Sequence, residues 1–188
     1  MLLRDPGGRV PAPEPLRLVQ AFVNTLDIEN GVELLQTPDD LERVLVAIRA
    51  VPGDAGPFHD GDLRIALETR EALRSLALAN SGVPLPDGVH ATLDRVGRAA
   101  QLSLALDGER LRLAVGADGV DGALGRILAI VHESIVDGTW RRLKGCPRDV
   151  CHWLFYDRSR NVSSKWCAMS VCGNRTNTKA YRRRHAQV

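Results

Sequence analysis

The chain has 188 residues, with 44% hydrophobic and 26% charged side chains, which excludes wholesale disorder and allows about one to two domains. No apolar run approaches the roughly 20 residues that span a bilayer. The opening Met1-Leu2-Leu3-Arg4-Asp5-Pro6 lacks a basic segment followed by an apolar stretch, so the expected location is cytoplasmic, with no membrane partner. The net charge of +2 conceals a segregation: residues 1–138 hold 13 of the 25 basic and 21 of the 23 acidic residues, a balance of −8, whereas residues 139–188 stand at +10. Such asymmetry predicts two modules with different partners, the basic one facing a polyanion.

Residues 1–15 carry Pro6, Pro11, Pro13 and Pro15 with Gly7-Gly8, and are expected to form a flexible arm. Leu16, Val19, Phe22, Val23 and Leu26 then repeat at helical spacing. Thr37-Pro38-Asp39-Asp40 reads as a helix start, with Thr37 as cap, Pro38 in the first turn and Asp40 closing a capping box. Leu41, Val44, Leu45, Ile48 and Val51 continue that helix on one face. Val51–Gly61 is expected as a loop, residues 62–80 as a helix, and Asp87 as the cap of a further helix through Val89, Leu93 and Val96. Alternation of Leu102, Leu104 and Leu106, then Asp107-Gly108, then Leu111, Leu113 and Val115 predicts a β-hairpin. A long helix is expected from about Asp121 to Leu143. The fold class is thus α+β and mainly helical: a domain over 16–143 with one hairpin, then a small module over 144–188.

All four cysteines lie in that last module, as Cys146-x4-Cys151, fifteen residues, and Cys167-x4-Cys172. Two close pairs at this separation form the pattern of one four-cysteine structural zinc site, each pair supplying two thiolates from one turn. Disulfides, or a thiol redox switch, are the competing reading of the same four residues and require oxidising conditions. A module of this size with few aliphatics needs such a brace, and structural zinc contributes on the order of 10 kcal/mol to folding one. Four thiolates fill the coordination sphere and leave no position for activated water. No catalytic constellation is visible: His132-Glu133 lacks a second His four residues on, and no nucleophile elbow, P-loop or dinucleotide fingerprint occurs. The expectation is therefore a protein without enzymatic activity.

The segment Cys167-Ala-Met-Ser-Val-Cys172-Gly173-Asn174-Arg175, preceded by Leu154-Phe155-Tyr156-Asp157-Arg158-Ser159-Arg160-Asn161 and by Trp166, resembles the CGNR zinc finger family over roughly residues 144–185. Upstream, Ala21-Phe22-Val23-Asn24-Thr25-Leu26-Asp27 resembles the companion ABATE domain. The resemblance implies a bacterial, stress-induced transcription regulator with a DNA-binding finger. One departure is that the family often places Lys two positions after the motif's Arg, where this chain has Asn177, with the Lys at Lys179.

Independently of the resemblance, Gly173 reads as a sharp turn and Asn174 as a helix cap. A helix from Arg175 would place Arg175, Lys179, Arg182 and Arg183 on one face, flanked by Arg184 and His185. With Lys165 and Arg160 these form the candidate DNA-binding set, since arginine suits bidentate phosphate and guanine contacts. Zinc with four thiolates counts −2, leaving residues 139–188 at about +8. Trp153, Phe155 and Trp166 are candidates for base stacking, with at least two expected in the core. Asp157 and Ser159 are expected as a turn cap or as partners of Arg158. Asn24-Thr25 is expected to satisfy backbone groups near its helix end. The functional expectation is a zinc-finger DNA-binding regulator whose N-terminal domain senses a small effector or forms a homodimer. The alternatives are an RNA-binding or ribosome-associated zinc protein, and an enzyme with its site in the N-terminal domain.

Overall fold

The computed structural model describes residues 7–51, 57–176 and 178. Among the described residues, the elements in chain order are α1 Leu16–Val23, β1 Leu26–Asp27, β2 Val32–Glu33, α2 Pro38–Ala47, α3 Asp60–Ala79, α4 Val89–Ala99, β3 Ser103–Asp107, β4 Arg110–Ala114, α5 Gly119–Val136, β5 Leu143–Gly145 and β6 Leu154–Tyr156, the strands pairing as three two-stranded antiparallel ribbons. A single 3₁₀ turn occupies Trp140–Arg142 and a π-helical turn Met169–Gly173. The α+β, mainly helical class expected from the sequence is the observed one, with two ribbons beyond the single hairpin read from periodicity. No helix among the described residues is long and apolar enough to cross a membrane.

Local chemistry sets most boundaries. Thr37 is extended and its hydroxyl accepts from the Asp40 N–H, while the Asp40 carboxylate accepts from the Thr37 N–H at 2.9 Å, so α2 opens with the expected capping box. Asp62 accepts from the His59 N–H at 2.8 Å and starts α3 inside the stretch read as loop. Asp87 is not the cap of α4: Gly88, at φ +87°, holds that position one residue later. The expected hairpin forms, with Leu104 opposite Leu113 and Leu106 opposite Leu111, but its two-residue loop is Gly108-Glu109, and Asp107, read as part of the turn, pairs with Arg110. α5 stops at Val136 instead of running to Leu143, because Gly138 takes φ +78° and turns the chain into the 3₁₀ segment and β5.

The core lies among α1, α2, α3 and α5, filled by Val19, Phe22, Val23, Leu41, Leu45, Leu73, Leu124 and Ile127. Leu143, Leu154 and Tyr156, from the ribbon that opens the cysteine module, belong to this same core. The boundary expected between residues 143 and 144 therefore runs through β5. Polar side chains of the N-terminal part complete the junction. Asn24 donates to Leu154 O at 2.8 Å and accepts from the Leu154 N–H at 2.9 Å, so a side chain on α1 acts as a further strand against β6. Gln20 donates to the same carbonyl and accepts from the Ala12 N–H. Arg74 donates to Val23 O and His152 O, Asn80 to Trp140 O and Leu143 O, and Ser81 to Gly145 O.

Residues 7–15, expected as a flexible arm, are also engaged. Ala12 is buried in the main core, Arg9 donates to the carbonyls of Trp166 and Cys167, and Pro11 O accepts from Arg158. Burial of Ala12 and closure of these backbone carbonyls outweigh the looseness that the prolines and glycines suggest.

Candidate metal centre and its cationic surround

β5 and β6 pair with Leu143 opposite Tyr156 and Gly145 opposite Leu154, and the Cys146 N–H extends the ladder to Trp153 O at 2.9 Å. Cys146 and Cys151 sit at the two ends of the connection between these strands. The chain between them folds back through the Cys151 N–H to Arg148 O bond, with His152 at φ +49°. The second pair comes from one turn: the N–H groups of Cys172 and Gly173 both bond to Ala168 O, which widens the helix to π geometry and brings the Cys172 sulfur back over Cys167.

The four sulfurs lie within 4.8 Å of one another and all four cysteines are buried. Cys167 Sγ is 3.5 Å from Cys172 Sγ and 3.7 Å from Cys151 Sγ. These spacings are far beyond a sulfur–sulfur bond of about 2.05 Å, and all four thiols are free. They match the edge of a tetrahedron built on metal–sulfur bonds of about 2.3 Å, which is about 3.8 Å. The donor set therefore fits a four-thiolate metal site with no position left for water. His152 stands outside the cluster.

Electrostatics agree with a cation there. The Cys146 thiol is held down to about 2, because Cys151 and Cys167 donate to its sulfur, whereas hydrogen bonding to that same sulfur pushes Cys151 and Cys167 well above the ordinary thiol value. One thiolate forms readily among these three sulfurs; further ionisation needs a positive ion to offset burial and mutual repulsion.

The chain from 157 to 164 wraps the module around a buried ion pair. Lys144 donates to Asp157 at 2.9 Å, to Val162 O and to Ser164 O, while Asp157 also accepts from the N–H groups of Ser159 and Ser164. Burial works to raise the Asp157 carboxyl, but the donors from Ser159, Lys144 and Ser164 outweigh it and hold the group well below the usual carboxylate range. Asp157 is thus a turn cap as expected, but its ionic partner is Lys144. Arg158, expected as that partner, lies over the Tyr156 ring and reaches Pro11 O.

Trp153 and Phe155 are core residues of the module, and only Trp166 of the three aromatic candidates is partly exposed. Gly173 makes no sharp turn and Asn174 is no cap, since both are helical. A Cβ at Gly173 would lie 2.4 Å from Met169 Sδ and 3.0 Å from the Trp166 ring, so the exposed Met169 side chain would have to shift. Arg160, Lys165 and Arg175 are exposed around the centre. Lys179, Arg182, Arg183, Arg184 and His185 lie outside the described residues.

One acid and two bases were not legible as a group. Glu29, in the turn between β1 and β2, accepts from Arg148 at 2.7 Å and from Arg175, and Arg148 in turn lies 3.7 Å from Cys172 Sγ. That turn is itself tied to α3 by Arg70, which is buried and bonds Glu33 at 2.7 Å and Thr25 at 3.2 Å. The only local signal was the pair of arginines, Arg70 and Arg74, at helical spacing within an otherwise apolar face.

Comparison with protein families gives two matches. The model described as "CGNR zinc finger" matches residues 142–185. The ABATE model, described as "Putative stress-induced transcription regulator", matches residues 16–137. No curated protein matches the chain.

Proposed function

Since the chain belongs to the ABATE family and carries a CGNR zinc finger, we propose that it is a transcription regulator that binds duplex DNA through the finger. Cys146, Cys151, Cys167 and Cys172 hold one structural zinc ion in this reading. Zinc supplies charge neutralisation for four buried thiolates and a fixed crossing of the two turns. The residues of this chain do the rest: the β5–β6 ribbon anchors the finger in the main core, and Arg175, three residues beyond Cys172, is exposed beside the cluster.

The observation that carries the proposal is the placement of Arg160, Lys165 and Arg175 on the exposed surface around a buried sulfur cluster, at the start of a segment that also contains Lys179, Arg182, Arg183 and Arg184. Glu29 on Arg175 is a competitor that a phosphate must displace. The acidic N-terminal part is the regulatory half in this reading.

The test is a gel-shift series with metal-loaded protein at several salt concentrations. Contact with about four phosphates gives a slope of log affinity against log salt near −3.6, and Arg175→Ala lowers its magnitude by about 0.9. Absence of binding to any duplex at low salt overturns the proposal.

A further inference from the structure

The β3–β4 ribbon carries its apolar side chains outward. Leu104 pairs with Leu113 and Leu106 with Leu111, so all four leucines share one face. Leu104, Leu106 and Leu111 are 69%, 71% and 67% exposed, while Asp107, Arg110 and Arg112 occupy the opposite face. A ribbon that served only to cover its own domain would bury the leucines and leave the charges in water. Among the described residues no third strand pairs with it, and a lone two-stranded ribbon is marginal in water.

The two free edges differ. Gly108, at φ +61°, opens the two-residue loop, so the flanking Asp107 and Arg110 form a hydrogen-bonded pair. Alternation from that pair turns the backbone N–H and C=O of Leu104 and Leu106 away from β4, toward the open edge. β3 carries one charge, Asp107 at its very end, and has neither the lysine nor the proline that blunts an edge strand. β4 carries Arg110 and Arg112. Antiparallel self-pairing of β4 about its middle residue would set Arg112 against Arg112 of a second copy. The same operation on β3, about Ala105, sets Leu104 against Leu106 of the second copy and Ser103 against its Asp107, with no like charges opposed. The bonds of that pairing come from the Leu104 and Leu106 groups that face the open edge. Asp107 and Glu109 cancel Arg110 and Arg112, so the ribbon itself is neutral, whereas the −8 balance of residues 1–138 disfavours an anionic lipid surface as the cover for these leucines.

We propose that the chain forms a two-fold dimer through the open edge of β3, joining two ribbons into one four-stranded antiparallel sheet in the order β4–β3–β3–β4. Leu113 and Leu104 of one copy then continue into Leu106 and Leu111 of the other as a single row, and the two-fold repeats that row. Leu104 and Leu106 thereby gain apolar neighbours at cross-strand distance. The inference goes beyond the regulator reading and does not depend on it.

Sedimentation velocity of the full-length, metal-loaded protein without nucleic acid, over a series of concentrations, tests the pairing. Expected is a reversible dimer that Leu104→Lys or Leu106→Glu weakens at least about tenfold, since each sets a charge against a leucine of the second copy. Both positions are exposed, and circular dichroism with metal content establishes that the variants fold. An equimolar mixture of the two variants, one of them fluorescently labelled, regains association. In the mixed dimer the introduced ammonium and carboxylate face each other, and Leu106 meets Leu104 on the other side of the axis. Wild-type protein that stays monomeric at every concentration, variants that dimerise like wild type, or a mixture that stays monomeric overturns the pairing. A duplex gel shift that persists with monomeric protein leaves the regulator reading standing alone. A dimer that shifts no duplex leaves the β3 pairing standing alone.

Discussion

Replacing Asn24 tests how the finger is held. In the folded protein its side chain is 6% exposed and exchanges two hydrogen bonds with the backbone of Leu154, at 2.8 and 2.9 Å. Asn24→Ala leaves Leu154 O with Gln20 as a remaining donor, at 3.1 Å, but strips the Leu154 N–H of its acceptor. An orphaned buried donor costs about 1–3 kcal/mol, and the lost second bond adds about 1. The expected total of about 2–4 kcal/mol corresponds to a fall in Tm of about 5–15 °C for a chain of this size. Urea denaturation of metal-loaded protein, followed by far-ultraviolet circular dichroism, measures it. Asn24→Asp is at least as damaging, because a carboxylate oxygen then faces Leu154 O in a dry site. A loss below about 1 kcal/mol for Asn24→Ala, or a neutral Asn24→Asp, refutes the argument that α1 serves as a polar strand for β6.

Acid should weaken the protein through Asp157. Its depressed pKa means the ion-pair stabilisation is complete above the unfolded carboxylate value of about 4 and drains away as pH falls toward the folded value. Asp157→Asn costs about 3–5 kcal/mol at neutral pH by leaving Lys144 buried without its partner, and it flattens the acid limb of the stability profile measured by denaturant midpoints. Gly145→Ala puts a Cβ 2.7 Å from Leu78 Cγ and 3.2 Å from Leu78 Cα, and the helix backbone cannot retreat; the expected loss is about 1–3 kcal/mol by thermal denaturation. Glu29→Gln removes the competitor from Arg175 and Arg148, and since exposed ion pairs are worth up to about 1 kcal/mol, duplex affinity in the gel shift should rise up to about fivefold. Chelation with a strong zinc ligand should release one metal per chain, read by a colorimetric zinc indicator, and should increase amide hydrogen exchange at residues 143–173 before it does so in α3.

The features legible in the sequence are those whose partners lie close along the chain. Thr37 and Asp40 cap a helix three residues apart, Leu104 to Leu113 alternate across a two-residue loop, and each cysteine pair closes within one turn. Helix ends decided by a single backbone angle, such as Gly138, were missed because an apolar helical pattern continues past them to Leu143. What joins the two halves could not be read at all. Asn24 and Leu154 are separated by 130 residues, and Arg9 and Cys167 by 158; neither pair leaves a periodic trace. Lys144 and Asp157 left no sign of their pairing in the sequence, because only the wrapping of 157–164 makes them interior.

The bond between Asn24 and Leu154 has a consequence for how the polypeptide matures. On emerging from the ribosome, the end of α1 presents a polar side chain, Asn24, whose counterpart is translated 130 residues later, a delay of about 7–26 seconds at ordinary synthesis rates of about 5–20 residues per second. During that interval the helical half is incomplete and its Leu154 slot is open to solvent. Burial of that slot therefore waits on synthesis of the same segment that brings the four clustered cysteines.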